Sequence, residues 1–167
     1  MDDSFESTIE FIKTEKLKGN SVVLMKGVFD LIHSDHIKCF ELLKQNADIL
    51  VVLIIGNKAT AKIKPGRPIQ DEQSRMKIIS SLKAVDFCTL DYDSTDPLTG
   101  EYSKDVDIHK LRQLNPDIWA VSQGRKAKFE NYDLGDIKII EVPEGQDHST
   151  TKIIEKILEV YSNQQKS

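Results

Sequence analysis

The stretch Lys26-Gly27-Val28-Phe29-Asp30-Leu31-Ile32-His33-Ser34-Asp35-His36 lies between a short β-rich run and a segment whose apolar residues recur with helical spacing. Gly27 permits a tight turn and a close ligand approach at the end of the predicted strand. The start of the following helix offers unpaired backbone N–H groups and the positive end of the helix dipole, which together favour a phosphate. His33 and His36 project to one side of the first helical turn and can donate hydrogen bonds to phosphate oxygens, more strongly when protonated. The stretch therefore predicts a strand–turn–helix unit that binds an anion.

Strands and helices alternate along the rest of the chain. The predicted strands cover 21–25, 48–55, 85–90, 118–121 and 137–142, and the predicted helices cover 5–17, 35–45, 71–82, 107–114 and 150–160. Gly56–Ile69 is rich in glycine and proline and is predicted to be loop. The alternation predicts an α/β fold, a Rossmann-like three-layer α/β/α sandwich with a five-stranded parallel sheet, whose ligand lies beyond the carboxyl ends of the strands.

Length and composition limit the possible functions. The 167 residues predict one domain over 1–167, with a helix before the first strand. A net charge of −4 and a pI near 5.6 argue against a general binder of nucleic acid or of membrane surfaces, since both need a cationic face. Cys39 and Cys88 are too few for a disulfide scaffold and fit reduced, packed thiols. The acidic N-terminus lacks a signal-peptide pattern and the longest apolar run is too short to span a bilayer, so we expect a cytoplasmic protein.

The two histidines have other interpretations that the residues alone leave open. They can be surface or capping residues without a chemical role. Together with Asp30 and Asp35 they can hold a metal ion, although zinc sites usually have three or four ligands at recognisable spacing. The sequence contains neither G-x-G-x-x-G nor G-x-x-x-x-G-K-[ST], so it has neither a dinucleotide fingerprint nor a P-loop.

The segment Gly27–His36 resembles the G-x-F-D-x-x-H-x-G-H signature of the cytidylyltransferase-like nucleotidyltransferases. The resemblance extends from about Ser4 to Ile157. Within the family, the chain is similar to both the heptose-1-phosphate adenylyltransferase domain and glycerol-3-phosphate cytidylyltransferase. The later motifs that carry it are Pro65-Gly66-Arg67-Pro68-Ile69 with Glu72 and Arg75, then Leu82–Asp86, Asn115–Asp117 and Ser149–Ile154.

This resemblance implies transfer of a nucleoside monophosphate from ATP or CTP to a phosphorylated sugar or polyol, with release of pyrophosphate and with Mg²⁺ bridging the phosphates. It implies catalytic roles around the triphosphate for His33, His36, Lys62 or Lys64, and Arg75. The residues implied to line the nucleotide are Gly27, Val28, Phe29, Asp35, Ser122, Gly124, Ser149, Thr150 and Thr151. No metal-binding side chain is implied, and a homodimer is a further expectation.

The sequence departs from the family pattern at the centre of the signature, where Asp35 occupies the position of a glycine. A carboxylate is favourable at a helix N-terminus, but it repels a phosphate by roughly 1 kcal/mol at ~4 Å in water. Lys26 is a candidate partner that would neutralise Asp35. The turn Ser122–Arg125 and the segment Glu144–His148 also differ from the family. A second interpretation is therefore a catalytically weakened member that binds nucleotide or sugar phosphate as a regulatory or interaction module.

Several residues also have purely structural interpretations. Arg75 can be an exposed helix residue that pairs with a neighbouring carboxylate, and the two lysines can be solvated. Asp30 is expected to orient the turn through local hydrogen bonds. Trp119 is expected in the core because large aromatic side chains bury most of their surface. His148 is expected at the surface. The alternatives are that it compensates for Glu144 and Asp147, whose charges disfavour a phosphate nearby, or that it contacts the base.

Overall fold

The computed structural model describes residues 5–91, 104–143 and 148–164, and its five strands form one parallel sheet. The helices are α1 (Phe5–Leu17), α2 (Ser34–Lys44), α3 (Asn57–Ile63), α4 (Glu72–Ser80), α5 (Lys104–Leu114) and α6 (Thr150–Gln164). The strands are β1 (Val22–Gly27), β2 (Ile49–Ile55), β3 (Phe87–Asp91), β4 (Ile118–Ser122) and β5 (Lys138–Val142). The order β3-β2-β1-β4-β5 confirms the predicted α/β fold. The chain changes direction across the sheet between β1 and β4, where parallel sheets form ligand crevices.

Helices cover both faces of the sheet. One buried cluster joins the sheet to α2 and α4 through Met25, Phe40 and Ile79. The other joins it to α1 and α5 through Leu24 and Trp119, among others. Trp119 is 7% exposed, which confirms its predicted place in the core. Because side chains alternate along β1, a residue on this strand faces either the α2 side or the α1 side.

Two of the motifs that carry the family resemblance, Leu82–Asp86 and Asn115–Asp117, hold the amino ends of the strands in place. Asp86 accepts a hydrogen bond from the backbone N–H of Leu50 at 2.7 Å. Asp117 accepts one from the backbone N–H of Val22 at 2.8 Å. Each carboxylate therefore pairs with a backbone donor at the start of a neighbouring strand, at the edge of the sheet opposite to the signature segment.

The prediction of a loop over Gly56–Ile69 was wrong for the first half of this segment, which forms α3. The backbone N–H of Asn57 donates to Oε2 of Glu72 at 2.6 Å, so a distant side chain caps the first turn. The helix ends before Pro65, as proline geometry requires. The glycines and prolines of this segment indicate where a helix stops, whereas the cap that starts it comes from α4.

The cysteines are free thiols, as composition predicted: Cys88 is buried and Cys39 is partly buried. Across the ranges that the structure describes, no helix has the length and apolar character needed to cross a bilayer.

Candidate active site

The turn between β1 and α2 has an unusual backbone. Phe29 and Leu31 both have φ of +49°, in the left-handed region that side chains other than glycine rarely adopt. Such a conformation persists only where the surrounding structure holds it in place. The signature segment therefore depends on contacts from elsewhere in the chain.

Asp30 supplies the first of these contacts. Its carboxylate accepts hydrogen bonds from Nε of Arg67 at 2.8 Å, the N–H of Ile69 at 2.8 Å and the N–H of Gln70 at 3.0 Å. Burial alone would raise the pKa of Asp30, but the two amides and the guanidinium together lower it. Asp30 thus holds the turn, but it does so by binding the distant segment Arg67–Gln70 and not through the local hydrogen bonds that were predicted.

Arg75 supplies the second contact and is fully buried. Its guanidinium donates to the carbonyls of Val28 and Ile55 at 2.5 and 2.9 Å, to Oδ1 of Asn57 at 2.9 Å and to the carbonyl of Gln70 at 3.1 Å. The interpretation of Arg75 as an exposed residue is wrong. Its buried guanidinium connects the three loops that contain these acceptors. In the proposal below, Arg75 accordingly positions the turn instead of contacting phosphate.

Position 27 has to be glycine because the aromatic ring of Phe29 packs directly against it. A Cβ atom at this position would lie 2.7 Å from the ring of Phe29, closer than packing allows. That ring is 5% exposed and packs against Phe40 and His36, with centroid distances of 5.1 and 5.6 Å. The side chain of Phe29 thus belongs to the core, and its ring occupies the space that a Cβ atom at residue 27 would need.

The structure brings His33 and His36 together as a stacked pair. Their ring centroids lie 3.9 Å apart, with 30° between the planes. His33 is the N-cap residue of α2 and its side chain makes no capping hydrogen bond to the helix. The stacked pair therefore lies at the N-terminus of α2, near the carboxyl end of β1, and the His33 ring is not engaged in capping the helix.

Burial sets the charge of this pair. It lowers the pKa of His36 to about 4, with a further lowering from His33 and an opposing effect from Asp35. Burial also lowers the pKa of His33, while Asp35 raises it and His148 lowers it. Without a ligand the two imidazoles are neutral at pH 7, so they act as neutral hydrogen-bond donors and not as cations.

The hydrogen-bond pattern assigns the tautomer of both rings. Nδ1 of His33 and Nδ1 of His36 are buried and find no hydrogen-bond partner among the residues that the structure describes. A buried N–H without an acceptor is more costly than a buried lone pair, so we assign the proton to Nε2 in each ring. Each histidine then presents an Nε2–H donor to a ligand that can only accept.

The lowered pKa of His36 predicts a loss of stability in acid. Below pH 6.5 the unfolded chain protonates this imidazole, whereas the native protein resists protonation until about pH 4. We expect His36 to account for about 1–2 kcal/mol of the decrease in the free energy of unfolding between pH 7 and pH 5. Urea denaturation of the ligand-free protein at both pH values would measure it.

The comparison variant is His36→Gln, in which the decrease between the two pH values should be smaller by that amount. His109→Gln, at an exposed position of α5, is the matched control and should leave the decrease unchanged. An identical pH dependence in wild type and His36→Gln would contradict the assignment.

The predicted ion pair between Lys26 and Asp35 is wrong. Nζ of Lys26 contacts Asp91 at 2.6 Å and also Asp107, and Lys110 binds Asp91 from the other side at 2.9 Å. Lys26 follows Leu24 by two positions on β1, so it points to the α1 and α5 face of the sheet. The histidines begin a helix on the other face, and the sheet separates the two groups.

Asp35 instead binds the segment before α6. The backbone N–H of His148 donates to its carboxylate at 2.9 Å, and Oγ of Ser34 lies 3.2 Å from Nδ1 of His148. Two residues further, Oγ1 of Thr150 donates to the carbonyl of Asp30 at 2.7 Å. The N-termini of α2 and α6 therefore meet beside the histidine pair, and both direct positive dipole ends there.

The remaining candidates are found in three kinds of place: a helix cap, the end of a strand and its turn, and exposed positions. Ser149 caps α6 by accepting from the N–H of Lys152 at 3.2 Å. Ser122 ends β4 beside β5, and Gly124 has φ of +75° in the following turn. Lys64 is exposed and close enough to His36 to lower its pKa. The other candidates are exposed side chains, namely Lys62 and Thr151.

The alternative of a metal site built from protein carboxylates finds no support in the contacts. The carboxylate of Asp30 is bound by a guanidinium and two amides, and that of Asp35 by an amide. Within the described ranges, no group of three or more metal-ligating side chains comes together.

Sequence reasoning missed the part that His148 takes in this site. The sequence does contain a signal for it, because Asp35 and the segment before Ser149 both depart from the family pattern. Nothing in the sequence indicates that these two departures contact each other. Residues 144–147, the other part of that unusual segment, lie outside the described residues.

A parallel sheet with helices on both faces, and with a histidine pair at a helix N-terminus beside its switch point, is an α/β domain suited to a phosphorylated ligand at this edge of the sheet. Comparison with known families identifies the group. Residues 24–156 match the cytidylyltransferase-like family, and the chain belongs to it.

Curated relatives include two proteins named bifunctional protein HldE. The one from Alcanivorax borkumensis is 30% identical over 156 residues, which are 89% of this chain and 30% of that protein. The one from Trichlorobacter lovleyi is 29% identical over 164 residues, which are 93% of this chain and 30% of that protein. The chain thus spans about 30% of the length of the curated relatives it matches.

Two solved structures share the fold. A lipopolysaccharide core biosynthesis protein from Thermoplasma volcanium is 28% identical with a TM-score of 0.59, covering 77% of this chain and all of that one. A pantoate-beta-alanine ligase from Francisella tularensis is 18% identical with a TM-score of 0.58, covering 94% of this chain and 77% of that one. The second likeness concerns the fold alone.

Proposed function

We propose that this enzyme transfers a nucleoside monophosphate from ATP or CTP to the phosphate of a phosphorylated sugar or polyol and releases pyrophosphate. The observation that carries the proposal is the stacked pair of neutral histidines at the N-terminus of α2, each with its Nδ1 buried and its Nε2 available. Two neighbouring donors at a helix N-terminus suit the oxygens of a triphosphate.

The chemistry requires positioning more than proton transfer. A phosphate monoester has a second pKa near 6, so the acceptor is already mostly a dianion at pH 7 and needs no general base. Its oxygen bonds to the α-phosphorus while the bond from that phosphorus to the bridging oxygen of pyrophosphate breaks. The Nε2–H groups of His33 and His36 would stabilise the charge that develops around this centre. Mg²⁺ would enter with the triphosphate as part of the substrate.

A phosphorylated sugar is the favoured acceptor class. The motifs of this chain resemble a heptose-1-phosphate adenylyltransferase domain, and the Thermoplasma volcanium relative is named for synthesis of a lipopolysaccharide core, which contains sugars. The same likeness favours an adenylyl over a cytidylyl donor.

Pyrophosphate release tests the proposal. ATP and CTP would each be combined with a panel of sugar phosphates, polyol phosphates and flavin mononucleotide, in the presence of Mg²⁺. We expect turnover with at least one sugar or polyol phosphate, and faster turnover with ATP. Nucleotide binding without pyrophosphate release from any pair would instead support the weakened family member.

A further inference from the structure

Asp35 and His148 form a tether between the N-terminal ends of α2 and α6. The carboxylate of Asp35 accepts the backbone N–H of His148 at 2.9 Å and lies 3.9 Å from its Nδ1. The side chain of Asp35 is 9% exposed, whereas that of His148 is 55% exposed. The carboxylate is therefore turned into the protein, and the imidazole it holds remains accessible.

Local charges keep Asp35 ionised in this position. The hydrogen bond from His148 lowers the pKa of Asp35 despite burial, with smaller contributions from Lys38, His148 and His33. Nζ of Lys38 lies 3.7 Å from Oδ1. The negative charge that would repel a triphosphate is thus directed to an amide and a lysine.

The ring of His148 has one nitrogen left for a ligand. Nδ1 lies at hydrogen-bond distance from Oγ of Ser34, and a hydroxyl that donates there leaves the proton of the ring on Nε2. His148 is also close enough to lower the pKa of His33. The charged and titratable groups that act on one another here are His33, Asp35, His36, Lys38, Lys64 and His148.

We propose that Asp35 is a positioning residue for His148, and that His148 uses Nε2 as a third imidazole contact to the phosphate chain of the nucleotide. This inference rests on the proposed function. A glycine at position 35 would leave the N-terminus of α2 open to the phosphate. In this chain Asp35 occupies that position and instead holds an additional donor, His148, beside the nucleotide.

Nucleotide affinity tests the contact. Dissociation constants for ATP and CTP with Mg²⁺, without acceptor, would be measured by calorimetry for wild type, Asp35→Gly, Asp35→Asn, His148→Gln and the double variant Asp35→Gly/His148→Gln. We expect His148→Gln and Asp35→Gly each to weaken binding about five- to tenfold, with the double variant no weaker than either one. Asp35→Asn keeps an acceptor for the amide and should stay within about twofold of wild type. His109→Gln, at an exposed position of α5, should bind as wild type does.

Amide hydrogen exchange provides a readout that does not depend on nucleotide. Protection of the His148 amide should be lost in Asp35→Gly and retained in Asp35→Asn. Tighter nucleotide binding by Asp35→Gly, or unchanged binding by His148→Gln, would overturn the inference while leaving the proposed function intact. A wild-type protein that binds neither nucleotide would overturn the proposed function and the phosphate contact together, whatever the exchange shows.

Discussion

Replacement of His36 by alanine should reduce turnover by about 10²–10³-fold, because it removes a donor aimed at charge that develops in the transition state. The ring also packs on His33 and Phe29, at centroid distances of 3.9 and 5.6 Å, so the loss affects the orientation of its neighbour as well. The effect should fall mainly on kcat and less on KM, since the donor contributes most when the α-phosphate is being transferred. Steady-state pyrophosphate release with the best acceptor would measure it.

The matched control for this variant is His109→Ala on α5, where the histidine is exposed and lies outside the site. Its turnover should equal that of wild type. Urea denaturation at pH 7 would establish that His36→Ala is folded under the assay conditions. Turnover of folded His36→Ala within threefold of wild type would remove His36 from the catalytic assignment.

Replacement of Arg75 by methionine should lower the free energy of unfolding by about 3–5 kcal/mol. The change removes the donor of four partly buried hydrogen bonds, to acceptors on Val28, Ile55, Asn57 and Gln70, of which the Ile55 carbonyl still accepts from Thr60. Arg75→Lys should be nearly as damaging, since a single ammonium cannot span acceptors on three loops. Urea and thermal denaturation would measure both variants.

Lys77→Met is the control for Arg75→Met because it removes a cation from an exposed position of the same helix. Its effect should stay within about 0.5 kcal/mol. A loss below 1 kcal/mol in Arg75→Met would show that the buried guanidinium does not hold the loops together, and the positioning role would fall with it.

The fold was largely predictable because its signals are local. The run Ile49–Ile55 shows by composition alone that it is buried on both faces, and the alternation of strands and helices restricts the connections to a parallel sheet. The exception was α3, whose N-terminal cap is a side chain fifteen positions further along the chain. Local sequence cannot show a cap of that kind.

The site was predictable in its centre but not in its surroundings. The spacing of His33 and His36 places them on one side of a helix, whereas their neutral state follows from burial that only the folded chain provides. Likewise, a charged residue such as Arg75 is ordinarily exposed, and its burial depends on acceptors 5 to 47 positions away. The predicted homodimer stays a prediction.

The most direct test of the central claim is the ionisation of the histidine rings during a titration with ATP and Mg²⁺, observed by nuclear magnetic resonance of their nitrogen atoms. In the free protein His36 should titrate near its lowered pKa of about 4, with its proton on Nε2. Bound triphosphate should raise that value by about one unit or more, because an anion in contact favours the protonated ring. Calorimetric binding of ATP that leaves the signals and pKa values of His33 and His36 unchanged would contradict the account.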